Sequence, residues 1–124
     1  MKRFDFKKFI RSFHYAFRGV IRLLLTEQNA RIHLTLTIVA GILAYLFGIT
    51  RVEAAILFIA VIMVFAMEII NTSFEKLCDL IDQNHNPIIA RVKDGMAGAV
   101  LIASVIAAVV AFIIFVPYLR DIVH

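Results

Sequence analysis

Residues 95–119 read GMAGAVLIASVIAAVVAFIIFVPYL, without one charged side chain. A helix rises about 1.5 Å per residue, so roughly 20 apolar residues cross a hydrocarbon core about 30 Å thick. This stretch is longer than that and is expected to span a membrane. Pro117 stands at its end, where a helix can stop at little cost. Two further runs meet the same test, 32–50 and 53–75. The latter is apolar as far as Met67 and continues through Glu68 into a polar tail.

The composition of the 124-residue chain agrees. Hydrophobic residues make up 62% and charged residues 18%, with a mean hydropathy of +0.92. An ordinary soluble domain is about 45–50% apolar and about 25% charged. A soluble fold this small cannot hide so much apolar surface. A soluble enzyme and a disordered regulator are thereby excluded. The lone Cys78 excludes a disulfide scaffold. The length leaves one domain, 1–124, with no room for a separate nucleotide-binding domain. No internal repeat is evident.

Residues 1–30 lack the compact apolar core and cleavage site of a signal peptide. Phe6, Phe9, Ile10, Phe13, Phe17, Val20, Ile21, Leu24 and Leu25 instead recur at steps of three and four, which puts them on one helical face. Lys7, Lys8, Arg11, Arg18 and Arg22 lie mostly opposite. The pattern predicts an amphipathic helix lying in the membrane interface. The net charge of +4 is concentrated here, where basic residues alternate with phenylalanines; anionic lipid rather than nucleic acid is the expected partner. The fold class is therefore an all-α membrane protein, an interfacial amphipathic helix followed by three transmembrane helices. Basic residues cluster in the first 31 positions and again at Lys76, Arg91 and Lys93, which predicts a cytoplasmic N-terminus and an external C-terminus. Ala99, Ala103, Ala107 and Ala111 recur every four residues on the third span, a spacing that predicts close helix packing.

The second span carries the informative polar residues. Glu68, Asn71, Glu75, Asp79 and Asp82 follow one another at steps of three, four, four and three, so all share one helical face. Counted from Glu53, Glu68 lies about 22 Å along the helix, inside the hydrocarbon but nearer its cytoplasmic edge. Glu75 falls near the headgroups, and Asp79 and Asp82 in or close to water. An ionisable residue within a span is costly and marks a candidate site. Glu27, just before the first span, and Lys93-Asp94, just before the third, should reach the same layer. Mg²⁺ prefers oxygen ligands, usually one or two carboxylates plus substrate phosphates. Glu27 and Glu75 can supply the carboxylates, and Lys93 can neutralise phosphate as a point charge. Taken alone, Lys93-Asp94 is better read as an interfacial anchor and helix cap. A nucleotide-binding glycine loop, a dinucleotide fingerprint and the protein-kinase motifs are absent, and the four histidines form no metal-ligand pair.

Glu68-x-x-Asn71-Thr72-x-x-Glu75-x-x-x-Asp79, followed by Lys93-Asp94 and Ala97-Gly98-Ala99-Val100, resembles the bacterial diacylglycerol kinase / undecaprenol kinase family of small integral-membrane lipid kinases. The resemblance covers nearly the whole chain. It implies a homotrimer in the bacterial cell membrane, with active sites between subunits that use ATP and Mg²⁺. It implies Glu68 as catalytic base, Glu27 and Glu75 as metal ligands that also contact ATP, and Asn71, Lys93 and Asp94 as active-site residues, the last two at the nucleotide. Lys8, Tyr15 and the loop Asn84-His85-Asn86 match nucleotide-contacting positions. Arg11, Arg18, Gly19 and Arg31 lie where the family handles its lipid or supports the site. Asn29-Ala30-Arg31-Ile32-His33 and His85-Asn86-Pro87 are closer to the undecaprenol kinase branch, although Ala30 replaces an aromatic residue. The expected activity is ATP- and Mg²⁺-dependent phosphorylation of a lipid alcohol, undecaprenol first and diacylglycerol as the alternative. A small proton-coupled transporter is the rival of another class; it would need a polar path through the bilayer, which the outer half of the second span does not offer. A noncatalytic membrane subunit would have no use for six polar residues in one layer.

Overall fold

Local signals in the chain set where each helix begins and ends. In the computed structural model, which describes residues 1–124, four helices follow one another: α1 (Phe6–Thr26), α2 (Gln28–Phe47), α3 (Arg51–Ile81) and α4 (Pro87–Val123). Asp5 caps α1 by accepting the Lys8 N–H at 3.2 Å. Thr50 and Glu53 form a reciprocal capping box at the start of α3. Asn86 caps α4, with Pro87 in the first turn, where its missing N–H costs nothing. Gly48 ends α2 in the left-handed conformation (φ 60), which a side chain would disfavour.

The helices α2, α3 and α4 are each long and apolar enough to cross a membrane, with mean hydropathies of 1.7, 2.5 and 3.1. The chain is all-helical, as the apolar runs predict, but the helices outrun them. α3 continues to Ile81 rather than 75, and α4 begins at Pro87 rather than 95. Backbone hydrogen bonding does not stop at the edge of the hydrocarbon, so a polar sequence with good helix formers carries the helix on. α2 ends at Phe47, short of 50, and α1 occupies 6–26 rather than 1–30. Pro117 does not end the last helix. It sits inside α4, which runs on to Val123, and near a helix end the loss of one hydrogen bond is tolerable.

α3 and α4 form an antiparallel hairpin in constant register. Lys93 meets Asp79 at one end, Phe115 packs by Leu57 further along, and Tyr118 bonds Glu53 at the other end. α2 lies alongside both. Because α2 is the shorter helix, the last turns of α3 and the first of α4 project beyond it, joined by residues 82–86. Only 13 of the 124 residues are buried, so the apolar side chains mostly face outward, as lipid-facing helices require. α1 touches the rest chiefly through Leu23, its one buried residue. Its phenylalanine row is uncovered, Phe9 lying 5.7 Å from Phe4 and 5.1 Å from Phe13.

Candidate active site

Glu68, Asn71 and Thr72 are the only polar residues buried in the bundle, at 2%, 8% and 7% exposure. They occupy the α3 face turned toward the other helices, as the three- and four-residue steps predict. Glu68 Oε2 and Asn71 Oδ1 have no hydrogen-bond partner in the chain. An unmade hydrogen bond on a buried polar group costs about 1–3 kcal/mol. Packing alone gives no reason to keep two such atoms side by side.

Three other ionisable groups lie within electrostatic reach of the Glu68 carboxyl: His33 from α2, Glu27 and Glu75. Glu27 is the single residue between α1 and α2, closing one helix and opening the next. Its side chain makes no capping bond, so its half-buried carboxylate is free. Glu75 is exposed, two turns along α3 from Glu68, and makes neither hydrogen bond nor ion pair. Glu27, Glu68 and Glu75 of one chain are thus electrostatic neighbours.

Lys93 Nζ lies 2.6 Å from Asp79 Oδ1, the one ion pair of the chain, and Glu75 is a further charged neighbour of Lys93. Lys93 and Asp94 do not cap α4. They lie in its second turn, because the helix begins at Pro87. The pairing gives Asp79 a place that sequence reasoning left unassigned. Its position on the same face as Glu68 and Glu75 was the available signal, but the partner fourteen residues away depends on the α3–α4 register. Beside this pair, Asn84, His85, Asn86, Lys93 and Asp94 line one polar cavity of about 310 Å³ together with Asp79 and Asp82. The loop is shaped by Asp82, whose Oδ1 accepts the Asn84 N–H at 2.8 Å, and by Asn86, whose Oδ1 accepts the Ile88 N–H at 2.9 Å. Five of the nucleotide-contacting positions implied by the resemblance thus face a common space.

Lys8 and Tyr15 do not join them. Both are exposed on α1, and from Leu23 they lie about 22 Å and 12 Å back along that helix. No group of three or more His, Cys, Asp or Glu residues is placed to hold a metal ion by itself. Glu27 and Glu75 are free oxygen donors of the kind taken by Mg²⁺, which retains water and completes its shell with phosphate oxygens. The donor set therefore fits an ion that arrives with a phosphate-bearing molecule.

Three helices long and apolar enough to cross a membrane, with unpartnered polar groups buried among them, define an integral-membrane protein with a polar site. A family model described as prokaryotic diacylglycerol kinase matches residues 14–115. The undecaprenol kinase of Bacillus subtilis is 32% identical over 117 residues, covering 94% of this chain and 95% of that protein. A diacylglycerol kinase of Synechocystis sp. is 36% identical over 108 residues, covering 86% of this chain and 61% of that protein. The chain belongs to the prokaryotic diacylglycerol kinase family and is a lipid kinase.

Proposed function

We propose that the protein transfers the γ-phosphoryl group of ATP to the primary hydroxyl of a membrane lipid alcohol, undecaprenol in preference to diacylglycerol. The observation that carries this reading is the pair of buried, unpartnered oxygens on Glu68 and Asn71, beside two uncommitted carboxylates. The undecaprenol preference is supported by the near end-to-end match to the Bacillus enzyme.

The lipid hydroxyl donates a hydrogen bond to a Glu68 oxygen. As the hydroxyl oxygen attacks the γ-phosphorus, the bond to the β-phosphate oxygen breaks, ADP leaves, and the proton passes to Glu68. Asn71 orients the hydroxyl or the carboxylate. Glu27 and Glu75 would hold Mg²⁺. That ion, when bound, would supply positive charge against the charge developing during transfer. Lys93, steadied by Asp79, adds a second positive charge, and the cavity around Asn84, His85, Asn86 and Asp94 receives the rest of the nucleotide. The amphipathic α1 lies in the interface and keeps the site at headgroup depth, on the cytoplasmic face of the bacterial cell membrane. The working unit is a homotrimer of single-domain chains with sites between subunits. The distance of Lys8 and Tyr15 from their own chain's carboxylates favours their serving a neighbouring chain's site.

The test is phosphoryl transfer from labelled ATP by the purified protein, with undecaprenol and diacylglycerol offered side by side in mixed micelles. Preferential labelling of undecaprenol is expected. Labelling of diacylglycerol alone overturns the substrate, and labelling of neither, with Mg²⁺ present, overturns the reading.

A further inference from the structure

Asp82 closes the row of polar residues on α3 and is its only member with no part in phosphoryl transfer. It stands just past the helix, in extended backbone (φ −156, ψ 119), where its N–H still donates to the Cys78 carbonyl at 3.1 Å. Residues 82–86 then turn the chain from α3 into α4.

Very little holds that turn. Backbone bonds close its two ends, from the Asp82 N–H to Cys78 and from the Ala90 N–H to the Asn86 carbonyl at 3.0 Å. Between them Gln83, Asn84 and His85 are all exposed. The one hydrogen bond that any of these three makes runs from the Asn84 N–H to Asp82 Oδ1, at 2.8 Å. The other carboxylate oxygen, Oδ2, faces the side-chain amide of Asn86 at 3.5 Å. Asn86 in turn caps α4, its Oδ1 accepting the Ile88 N–H at 2.9 Å. Asp82 and Asn86 are half-buried, unlike the residues between them. An aspartate whose short side chain reaches an N–H two residues on makes a local turn where backbone bonding is missing. One side chain thus orders the middle of the loop and touches the cap of the next helix.

Asn84, His85 and Asn86 line the polar cavity together with Lys93 and Asp94. A loop that becomes ordered only when its ligand arrives loses affinity to the entropy of ordering. We propose that Asp82 is a positioning residue for the nucleotide, which holds the loop 84–86 in its binding shape before ATP arrives. The inference rests on the proposed placement of the nucleotide in this cavity. Direct contact with the nucleotide is the poorer account of Asp82. Its Oδ1 is bonded within the turn, whereas Glu27 and Glu75 are free. Asp79, Asp82 and Asp94 already place three carboxylates on a cavity whose one lysine is paired with Asp79. A charge at position 82 therefore repels phosphates. The acceptor atom helps binding and the charge opposes it, so the two can be separated. Glu68 lies fourteen residues back, about 21 Å along the helix axis, so the chemical step is out of reach of this side chain.

The experiment is steady-state phosphoryl transfer by the full chain in mixed micelles, with ATP varied at saturating lipid alcohol. Amide hydrogen exchange at residues 83–85 is followed by NMR on the same preparations. In the parent, the Asn84 amide should exchange more slowly than its two neighbours, which have no partner. Asp82→Ala removes the acceptor and should raise KM for ATP about three- to tenfold, the worth of one net hydrogen bond, with kcat within about twofold of the parent. The slow exchange at Asn84 should be lost with it. Asp82→Asn keeps the acceptor without the charge and should recover most of both losses. Asp82→Gln carries its amide past the Asn84 N–H, should behave as alanine does, and replaces it if the alanine variant does not fold. Equal rises in KM for asparagine and alanine would show that the charge acts, and overturn the inference. An unchanged KM in the alanine or glutamine variant overturns it as well, whether or not exchange quickens, and leaves the kinase reading standing. A fall in kcat at constant KM would make Asp82 part of the chemistry and has the same consequence. Failure of the unaltered protein to phosphorylate any lipid alcohol removes the functional reading and this inference with it.

Discussion

Glu68→Gln separates chemistry from folding more cleanly than any other change in this protein. The side chain is 2% exposed, and its Oε2 has no partner. Three residues along the same face, Asn71 Oδ1 is likewise unpartnered. Glutamine keeps the shape and the volume. It replaces one orphan acceptor by an amide that can donate, and the nearest unsatisfied acceptor on the same face is that of Asn71. A buried unmade hydrogen bond costs about 1–3 kcal/mol, so the variant should be at least as stable as the parent, and stabilised by about 1 kcal/mol if the new bond forms. An amide cannot take a proton from the lipid hydroxyl. Loss of a general base typically costs 10²- to 10⁴-fold, and that is the expected fall in kcat with ATP binding retained. The assay pairs steady-state phosphoryl transfer with thermal unfolding and nucleotide titration on the same preparation. Near-normal kcat refutes Glu68 as the base. A large loss of thermal stability refutes the placement of the two orphan oxygens, because it would mean that the carboxylate itself holds the bundle together.

Glu75→Ala removes a free carboxylate and should weaken Mg²⁺ and ATP binding together in calorimetric titrations; unchanged affinity for both counts against the metal role. Asp79→Asn releases Lys93. Both side chains of that pair are substantially exposed (38% and 59%), and exposed ion pairs contribute little to stability. The thermal midpoint should stay put while the KM for ATP rises several-fold, and the double variant should be no worse than Lys93→Met alone. A variant that unfolds without a change in KM would make the pair structural. Tyr118→Phe deletes the bond to Glu53 at the far end and should lower the thermal midpoint by a few degrees, with KM for ATP unaffected. An unchanged midpoint would show that ring stacking on Phe47 is sufficient.

Hydropathy located the three spans because it senses where hydrocarbon begins and ends. For the same reason it misjudged the helices themselves. The turns from Lys76 to Ile81 and from Pro87 to Asp94 are too polar for hydrocarbon but fully able to continue a helix. Periodicity found the Glu68, Asn71, Glu75 and Asp79 face because those residues share one element, where spacing and direction are linked by the 3.6-residue turn. What periodicity lacks is the register between elements. The meeting of Lys93 with Asp79, and of Tyr118 with Glu53, depends on how α3 and α4 slide past each other, and only packing decides that. The alanine stripe was legible as a row of small residues. Whether such a row brings helices together or leaves room between them depends on the large residues around it, here Leu57 and Phe115, which line one cavity with Ala107 and Ala111.

With 13 buried residues in 124, this chain has scarcely any interior of its own. Most of the apolar area that stabilises a soluble domain is here matched against solvent molecules that can be exchanged at will. Its unfolding free energy therefore belongs to the chain and its amphiphile jointly and should shift with detergent chain length and with bilayer thickness. Substitutions that look silent in one medium can become decisive in another, so stability comparisons between variants hold only within a single lipid or detergent composition.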